Sequence, residues 1–563
     1  MGSNDILVKE YLESLKEDKE LDYLFPILLR LMGFRVITTA LESKGQSQYG
    51  KDIIAVGKDE DGIKKRFYFE LKGYKDKDVT DNNYSVPDGV RESIIEAKDA
   101  AFSDSSIPDF NNLPVKIVFV HNGIIKTNIR PTFEGFIARE FPNGQFERWD
   151  IYQLTELFTK YLFGEYLFTD EETIRLFKRT LVLLDAPDYD FSDFYALINI
   201  QTQKTYSVES RAFKKFFASM NLLAVMIIHY SKENNNLYPA RECITFLLLK
   251  VWKWVLDNKL ETKNGVLKEF RKLLTIHFNL LGDYFSKTNV AINLSDGLFS
   301  EAGKMFEVVG YPMRCFDYLN YLNYYLHARL YYPGFEKEAT AIKKEKLVNH
   351  SLKCLVTLIN SNDATRRPVI DNHSIAIIHT ILFWLRNQEN ISNYKNLISG
   401  YLSSILNNIV IIKLTRNRFP ELYNNVEALT EFAAKNERPH SYIDSSSLLI
   451  TCVFEILALM DDEKTYQDYR DSFDTRINLQ MAYCDLETEV LEPLLFEKNL
   501  YAEMYVKTNI KLPENFTDFK DYIAKNSIPT RQYKTDQVGF SFLRYLAHIY
   551  FKNEFFPDEW RKF

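Results

Sequence analysis

The period of the hydrophobic pattern changes once along this chain of 563 residues, near Thr169-Asp170-Glu171-Glu172. Before that point, short runs with strand-like alternation are interleaved with helical runs. After it, almost every apolar pattern has the period of a helix. Because strands that alternate with helices indicate a sheet covered by helices, residues 1–168 are predicted to form an α/β domain. Residues 169–563 are predicted to form a large all-α region.

The first 168 residues contain an ordered series of predicted elements. A helix is expected over residues 5–32, with a break or a kink near Phe25 because Pro26 lies inside the run. The polar segment Lys58-Asp59-Glu60-Asp61-Gly62 predicts a hairpin between the second and third strands. The predicted strands are Phe34–Leu41, Asp52–Gly57, Arg66–Gly73, Val115–Val120 and Phe146–Trp149, and the later helices are Asp88–Phe102, Pro131–Glu140 and one that begins after Asp150 as its N-cap. This order predicts a sandwich around a mixed sheet.

The remainder is expected to be a helical bundle or an irregular helical array that senses a trigger, oligomerises or docks a partner. Clear helical patterns cover Phe213–Tyr230, Cys243–Val255, Phe316–Tyr332, Ile375–Trp384 and Leu448–Met460. No fixed repeat of about 30–45 residues is visible. A further division into two subdomains, near Arg416–Pro420 or Arg438–Ser445, is an open alternative.

The composition of the chain indicates where the protein is located and how strongly it binds nucleic acids. No run approaches the roughly 18 apolar residues of a membrane helix, and the N-terminus lacks the basic and apolar pattern of a secretory signal. Five scattered cysteines (Cys243, Cys315, Cys354, Cys452 and Cys484) and nine dispersed histidines predict reduced thiols, no structural zinc site and a cytoplasmic location. The net charge is −7, and residues 1–168 contain 22 Lys and Arg against 28 Asp and Glu. The N-terminal domain is therefore not expected to bind DNA strongly by itself.

Three residues of the predicted hairpin have the chemistry of a metal-dependent hydrolase. Glu70 and Lys72 are two residues apart on one strand, so both project to the same face. Asp52 begins the preceding strand, from which its carboxylate can reach Glu70. Two carboxylates and the backbone carbonyl of Leu71 are the oxygen ligands that Mg²⁺ prefers. A neighbouring ammonium group can orient a water molecule and offset charge on a phosphate, so the pattern predicts phosphodiester hydrolysis.

The context of this motif distinguishes it from a chance match. A second Glu-x-Lys triplet, Glu17-Asp18-Lys19, lies on a predicted helix, where its two outer residues would not share a face. The copy at Glu70 instead lies on a β-rich run, 18 residues after Asp52. The alternative interpretation is that Asp52, Glu70 and Lys72 are turn-flanking or salt-bridged residues at a sheet edge.

The segments Gly33-Phe34-Arg35-Val36, Gly50-Lys51-Asp52-Ile53-Ile54 and Phe69-Glu70-Leu71-Lys72 resemble the core of Mrr-type restriction endonucleases and archaeal Holliday-junction resolvases, members of the PD-(D/E)xK superfamily. The resemblance spans residues 15–165 approximately. It implies that Asp52, Glu70 and the Leu71 carbonyl bind Mg²⁺, with Mn²⁺ as a substitute, and that Lys72 assists the attacking water. Those enzymes also have an acidic residue, usually glutamate, on the first helix. The matching position here is Asp22, with Glu20 nearby.

Other polar residues of the N-terminal domain are weaker candidates. Glu92, Glu96 and Lys98 follow the motif on a helix and are better explained as a solvated face. His121-Asn122-Gly123 is better explained as a turn. Arg91 and Tyr74-Lys75-Asp76-Lys77 are weak candidates for phosphate contacts. Walker A, GxGxxG and GxSxG patterns do not occur in the sequence, which therefore indicates no alternative NTPase or hydrolase chemistry.

The leading hypothesis is a metal-dependent endonuclease that hydrolyses DNA. A domain of this type fused to a long helical region resembles effectors of prokaryotic restriction and anti-phage systems. That resemblance implies that activity is controlled by the helical region, by a homodimer or higher oligomer, or by a co-encoded regulatory protein. Binding to a membrane is not expected. The alternatives are a non-catalytic scaffold with a nuclease-like fold and a nuclease specific for branched DNA or RNA. The complete set of Asp52, Glu70 and Lys72 argues against the scaffold.

Overall fold

The computed structural model describes residues 3–39, 50–87, 89–100, 102–161, 171–208, 210–300, 302–303, 305–332, 341–386, 391–473, 476–483, 486–497, 505–527, 531–552 and 560–561. The chain forms two compact units, Met1–Leu247 with Lys268–Ile276, and Leu248–Leu267 with His277–Phe563. The first unit continues past residue 168, so the change in hydrophobic period and the edge of the compact unit fall at different positions. The predictions at Leu41, Asp88 and Cys484 lie outside the described residues.

The first unit begins with the predicted order of elements. Helix α1 (Ser3–Glu13), a π-helical turn (Glu17–Leu21) and α2 (Asp22–Leu31) precede strands β1 (Arg35–Thr38), β2 (Ile53–Lys58) and β3 (Lys64–Lys72). They are followed by a 3-10 turn (Tyr74–Asp76), α3 (Asp81–Tyr84), α4 (Val90–Asp99), a 3-10 turn (Phe110–Asn112), β4 (Val115–His121), α5 (Arg130–Glu140), β5 (Phe146–Trp149) and α6 (Ile151–Tyr161). The N-cap prediction is confirmed, since Asp150 Oδ1 accepts hydrogen bonds from the amides of Tyr152 and Gln153 at 3.0 and 3.3 Å.

The five strands form one mixed sheet in the order β1-β2-β3-β4-β5. The pairs β1–β2 and β2–β3 are antiparallel, and β3–β4 and β4–β5 are parallel. One face of the sheet carries Ile54, Tyr68 and Phe119, which pack in a core with α4 and α5. The other face carries Phe69, whose ring centroid lies 5.3 Å from that of Phe25 in α2. Helices therefore cover both faces of the sheet, as the mixed α/β prediction requires.

The N-terminal helical segment is interrupted earlier than the sequence predicted. Pro26 lies inside α2, so the prediction of a break near Phe25 is wrong. The interruption is at residues 14–16, between the end of α1 and the π-helical turn. A proline lacks the amide that would donate to the residue four positions earlier. Here that residue is Asp22, the first of α2, so the helix loses a single bond near its N-terminus and continues.

The described remainder of the chain is mostly helical, and the five sequence-predicted helices each coincide with an observed one. The helices are α7 (Glu171–Leu183), α8 (Ser192–Thr202), α9 (Arg211–Glu233), α10 (Tyr238–Asp257), α11 (Asn264–Thr288), α12 (Val290–Asn293), α13 (Tyr311–Tyr331), α14 (Ala341–Ser361), α15 (Ser374–Arg386), α16 (Ile391–Arg416), α17 (Val426–Lys435), α18 (Leu449–Leu459), α19 (Glu463–Phe473), α20 (Thr488–Leu494), α21 (Phe516–Lys525), α22 (Lys534–Gln537) and α23 (Phe542–Phe551). A π-helical turn covers Phe306–Gly310, and 3-10 turns cover Asp363–Arg366 and Asp371–His373.

A small sheet that the sequence analysis did not predict lies among these helices. Its strands β6 (Ser446–Ser447), β7 (Asn478–Tyr483) and β8 (Tyr505–Ile510) are in the order β6-β7-β8, with the first pair parallel and the second antiparallel. The coarse architecture, an α/β region followed by a mostly helical region, is confirmed. The second region is not exclusively helical.

Two further sequence expectations concern cysteines and membrane helices. The described cysteines Cys243, Cys315, Cys354 and Cys452 are free thiols, and all but Cys354 are fully buried. Two described helices, Arg211–Glu233 and Tyr394–Arg416, have the length and composition to cross a membrane, and 72% and 33% of their most apolar windows are buried. Core helices of soluble proteins share this length and composition, so these two helices are weak evidence for a membrane span.

Candidate active site

The β2–β3 hairpin brings Asp52 and Glu70 together. The antiparallel register pairs Ile53 with Phe69. One residue before Ile53 and one residue after Phe69, Asp52 therefore lies opposite Glu70. Asp52 Oδ2 accepts a hydrogen bond from the amide of Leu71 at 2.7 Å. This bond holds the Asp52 carboxylate against the edge of β3, just beyond the end of β2.

Glu70 and Lys72 form an ion pair on one face of β3. The distance from Lys72 Nζ to Glu70 Oε1 is 2.8 Å. Glu70 is only 3% exposed, whereas 18% of the Lys72 side chain is exposed, so the ammonium group lies nearer to solvent than the carboxylate. The three residues that the sequence singled out therefore meet at one end of the hairpin.

A third carboxylate, Glu17 from the π-helical turn, completes this cluster. Its Oε1 atom lies 3.6 Å from Lys72 Nζ. The approach depends on Gly73, because a Cβ atom at that position would lie 2.5 Å from the backbone nitrogen of Glu17. Glu17 was not predicted as a site residue, because the triplet Glu17-Asp18-Lys19 was predicted to lie on a helix. No local pattern indicates that this turn packs on the end of β3.

The family resemblance suggested two further acidic residues, Asp22 as an additional candidate metal ligand and Glu20 nearby. Asp22 is buried in the first turn of α2. Glu20 faces α9, where its carboxylate forms ion pairs with Arg211 and with Lys215, the latter at 2.8 Å. Arg211 also donates a hydrogen bond to the carbonyl of Ser14 at 2.8 Å. Ion pairs and a hydrogen bond from α9 therefore hold this segment, and the backbone of Glu17 packs closely against Gly73.

Burial and repulsion between carboxylates govern the charge state of the cluster. Burial raises the pKa of Asp52 well above its usual range, and the nearby charge of Glu70 raises it further, against the opposing effects of Lys72 and the Leu71 amide. Burial acts to lower the pKa of Lys72, but attraction to the surrounding carboxylates, Glu70 first, outweighs it and the pKa is raised. Burial also raises the pKa of Glu17. Deprotonation of all three carboxylates around one ammonium group would leave an excess of negative charge, and a bound cation would favour that deprotonated state.

The donor atoms fit a hard divalent cation. Asp52 and Glu70 supply carboxylate oxygens. The amide and the carbonyl of one strand residue point to the same side, so the Leu71 carbonyl lies on the strand edge where its amide meets Asp52. Oxygen ligands of this type suit Mg²⁺. Over the described residues, no group of three or more His, Cys, Asp or Glu is arranged to hold a metal, so a cation here would complete its coordination with water or substrate oxygens.

His121 and Asn122 support the site from inside the protein. The His121 Nδ1 atom lies 2.9 Å from the Lys77 carbonyl, and burial lowers the pKa of His121 to about 4, so the ring is neutral at pH 7. Asn122 Nδ2 donates to the carbonyls of Leu12 and Leu15 at 2.6 and 2.9 Å. Its backbone amide donates to the Lys72 carbonyl at 3.3 Å. Asn122 thereby ties the end of α1 to the strand that carries the cluster.

The remaining charged candidates are divided between solvent and the core. Glu92 and Glu96 are exposed on α4, and Lys98 is ion-paired to Glu140 at 3.2 Å, in agreement with a solvated face. Lys51, which the sequence analysis passed over, is buried beside the cluster, and burial lowers its pKa to about 8. Its position directly before Asp52 gave no indication of that burial.

The cluster is thus a geometric arrangement without support from relatives. Comparison of the chain with protein-family models, with curated proteins and with solved structures finds no match.

Proposed function

We propose that this protein is a Mg²⁺-dependent endonuclease, that its residues 1–168 have a PD-(D/E)xK, restriction-endonuclease-like fold, and that its substrate is DNA. The observation that carries the proposal is the meeting of Asp52, Glu70 and Lys72 at the end of the β2–β3 hairpin. Two carboxylates and an ammonium group within one ion-paired cluster are the groups that phosphodiester hydrolysis requires.

Each residue has a separate part in this proposal. Asp52, Glu70 and the Leu71 carbonyl hold the cation. When bound, Mg²⁺ stabilises the negative charge that develops on the phosphate oxygens. Lys72 donates hydrogen bonds that orient the attacking water and the phosphate. Glu17 adds to the effect of Glu70 in raising the pKa of Lys72, which keeps the ammonium group charged, and its Oε1 atom lies 3.6 Å from Nζ.

The charge of the chain argues for assisted rather than autonomous DNA binding. Residues 1–168 contain 22 Lys and Arg against 28 Asp and Glu, so approach to a polyanion is unfavourable. We therefore expect the helical region, an oligomer or a regulatory protein to deliver the DNA or to release the activity. These features suit an effector of a prokaryotic restriction or anti-phage system in the cytoplasm.

The test uses the full chain and separates metal binding from cleavage. Asp52→Asn and Glu70→Gln keep the shape of each side chain and remove its charge, and Glu60→Gln in the exposed hairpin loop is the matched control. Thermal unfolding with and without Mn²⁺ measures metal binding, because a ligand of the folded state raises the unfolding temperature. The wild type and the control should be stabilised and should cut, and the two site variants should do neither.

Substrate arms separate the proposal from its alternatives. Plasmid, linear and branched DNA and RNA are incubated with Mg²⁺ or Mn²⁺. Cleavage of branched DNA or RNA alone would keep the catalytic cluster and replace the substrate. Absence of both metal stabilisation and cleavage would favour the non-catalytic scaffold. Equal metal stabilisation and cleavage in wild type and both site variants would refute the assignment of the site.

A further inference from the structure

The second compact unit contains a cleft of about 430 Å³ between helices α14 and α16 and the 3-10 turn Asp363–Arg366. This volume is in the range of about 300–1,000 Å³ that small-molecule sites occupy. The aromatic side chains of Trp384 and Tyr401 contribute to its lining. They are fully buried and meet edge to face, with ring centroids 5.9 Å apart. The cleft therefore has a rigid aromatic wall.

Polar side chains from the lining hold the turn that carries Arg366. Arg366 Nη2 donates to Asn360 Oδ1 at 2.8 Å. Asn408 Nδ2 donates to the Arg366 carbonyl at 3.1 Å. The Tyr401 hydroxyl donates to the carbonyl of Thr365 at 3.0 Å. The first bond orients the guanidinium group from α14, and the other two hold the backbone of the turn from α16, so Arg366 is positioned at the cleft.

The charge balance of the lining favours an anionic ligand. Asp363, the only acidic side chain among the described lining residues, is ion-paired with Arg367 at 3.1 Å. Arg366 contacts an uncharged amide, and among the described residues it has no carboxylate partner. The indole Nε1 of Trp384 is buried and, within the same described part of the chain, has no hydrogen-bond partner. Within the described part of the chain, the guanidinium group at the cleft therefore has no carboxylate that offsets its charge.

The rest of the lining selects for a planar ligand with hydrogen-bonding edges. Asn396 and Asn407 each contribute an amide to the lining, and an amide can both donate and accept. Asn360 and Asn408 also line the cleft, with one amide atom each bonded to Arg366. Amide side chains pair with the edges of nucleobases, and arginine binds phosphate through two parallel donors. We propose that this cleft is a nucleotide-binding site, with the phosphate at Arg366 and the edges of the base at the asparagine amides, next to the packed rings of Trp384 and Tyr401. The inference does not depend on the proposed nuclease activity.

A space-filling variant tests whether the cleft is the site. Gly400 lies on α16 in the lining, and a Cβ atom there would meet nothing within 4 Å. Gly400→Leu therefore projects into open space, and leucine favours a helix over glycine, so the variant should fold. Thr415→Leu, at an exposed position of the same helix outside the cleft, is the control.

The measurement is tryptophan fluorescence and titration calorimetry of the full chain with AMP, GMP, CMP and UMP. At least one nucleotide should bind the wild type and the control, with a fluorescence change that is lost in Trp384→Phe. Gly400→Leu should abolish binding. Arg366→Gln should weaken nucleotide binding by about tenfold or more, since it removes a charge-assisted contact, and should leave the affinity for the matching nucleoside unchanged.

Two further ligands, and two outcomes of the measurements above, would overturn the proposal. Inorganic phosphate that binds as tightly as the nucleotides would show an anion site without base recognition. A short single-stranded oligonucleotide that binds when no mononucleotide does would show a nucleic-acid surface instead. Nucleotide binding that survives Gly400→Leu, or no binding to the wild type at millimolar concentrations, would place the site elsewhere or remove it.

Discussion

Replacement of Gly73 by alanine tests how the N-terminal turn reaches the candidate active site. Gly73 has φ −139° and ψ 164°, an extended conformation that alanine adopts without strain. The consequence of Gly73→Ala therefore comes from the added methyl group alone. That group would lie 2.5 Å from the backbone nitrogen of Glu17 and 2.8 Å from the carbonyl carbon of Lys16.

The structure sets the size of the effect. Ordinary contact with a Cβ atom begins at 3.4 Å, so the turn must retreat from β3 by about 1 Å. The distance between Glu17 Oε1 and Lys72 Nζ, now 3.6 Å, would then exceed the 4 Å limit of an ion pair. Insertion of a methyl group into a closed contact costs about 1–3 kcal/mol. Since 1.4 kcal/mol is a factor of ten, local opening of the turn should become about 5 to 150 times more frequent.

Hydrogen–deuterium exchange of the full chain, followed on peptides that cover residues 14–21, measures this opening directly. Gly135→Ala is the control, because a Cβ atom at that exposed position of α5 would meet nothing within 4 Å. The control should raise local stability by about 0.5–1 kcal/mol, as alanine does within a helix. Unchanged exchange over residues 14–21 in Gly73→Ala would refute the argument that Gly73 positions Glu17.

Two further predictions concern Lys72 and His121. Lys72→Ala should depress cleavage and leave stabilisation by Mn²⁺ largely intact, because an ammonium group is not a metal ligand. Lys72→Arg should restore little, since a guanidinium group is broader, and full activity of that variant would reduce Lys72 to a source of charge. His121 has a pKa lowered to about 4 by burial, so the unfolded chain binds more protons between pH 4 and 6.5, and about 3 kcal/mol of stability should be lost as the pH falls through that range. His121→Gln should lack this loss in urea unfolding, and parallel pH profiles of wild type and variant would contradict the prediction.

The hairpin and its cluster could be predicted because their determinants are local. A five-residue polar loop between two alternating runs sets the strand register, and the register places Asp52 opposite Glu70. Side chains two residues apart on one strand share a face, which brings Lys72 to Glu70. Each of these inferences needs only the period of a strand and the position of a turn.

The position of Glu17 could not be predicted, because it depends on contacts between segments far apart in the sequence. Its place beside Lys72 requires the interruption of the helix at residues 14–16, the missing side chain of Gly73 and the contacts of Asn122 with the end of α1. The break was predicted near Phe25 because of Pro26, whereas the interruption lies at residues 14–16. A proline near a helix N-terminus is tolerated, and its presence alone does not locate a break.

The second sheet escaped prediction for a different reason. Strand β6 has only two residues, Ser446 and Ser447, which is too short to show any hydrophobic period. It pairs with β7, whose first residue lies 32 positions after the first residue of β6, and the strongly apolar helix Leu449–Leu459 dominates the sequence between them. Pairing across such a separation is decided by tertiary packing, which local propensity does not report.

The charge of the N-terminal region also depends on residues that lie beyond position 168. Arg211 and Lys215 of α9 form ion pairs with Glu20, and Lys272 of α11 forms one with Glu10 at 2.7 Å. All of these residues belong to the first compact unit. Three cations from outside residues 1–168 thus neutralise acidic groups inside it, and α9 packs directly against α1. A fragment that ends at residue 168 would expose those carboxylates and one side of α1, so weak DNA binding by that fragment would reflect an incomplete unit. A deletion meant to test control by the helical region must therefore leave residues 1–276 in place, because it then keeps the whole first unit and removes His277–Phe563, the larger segment of the second unit.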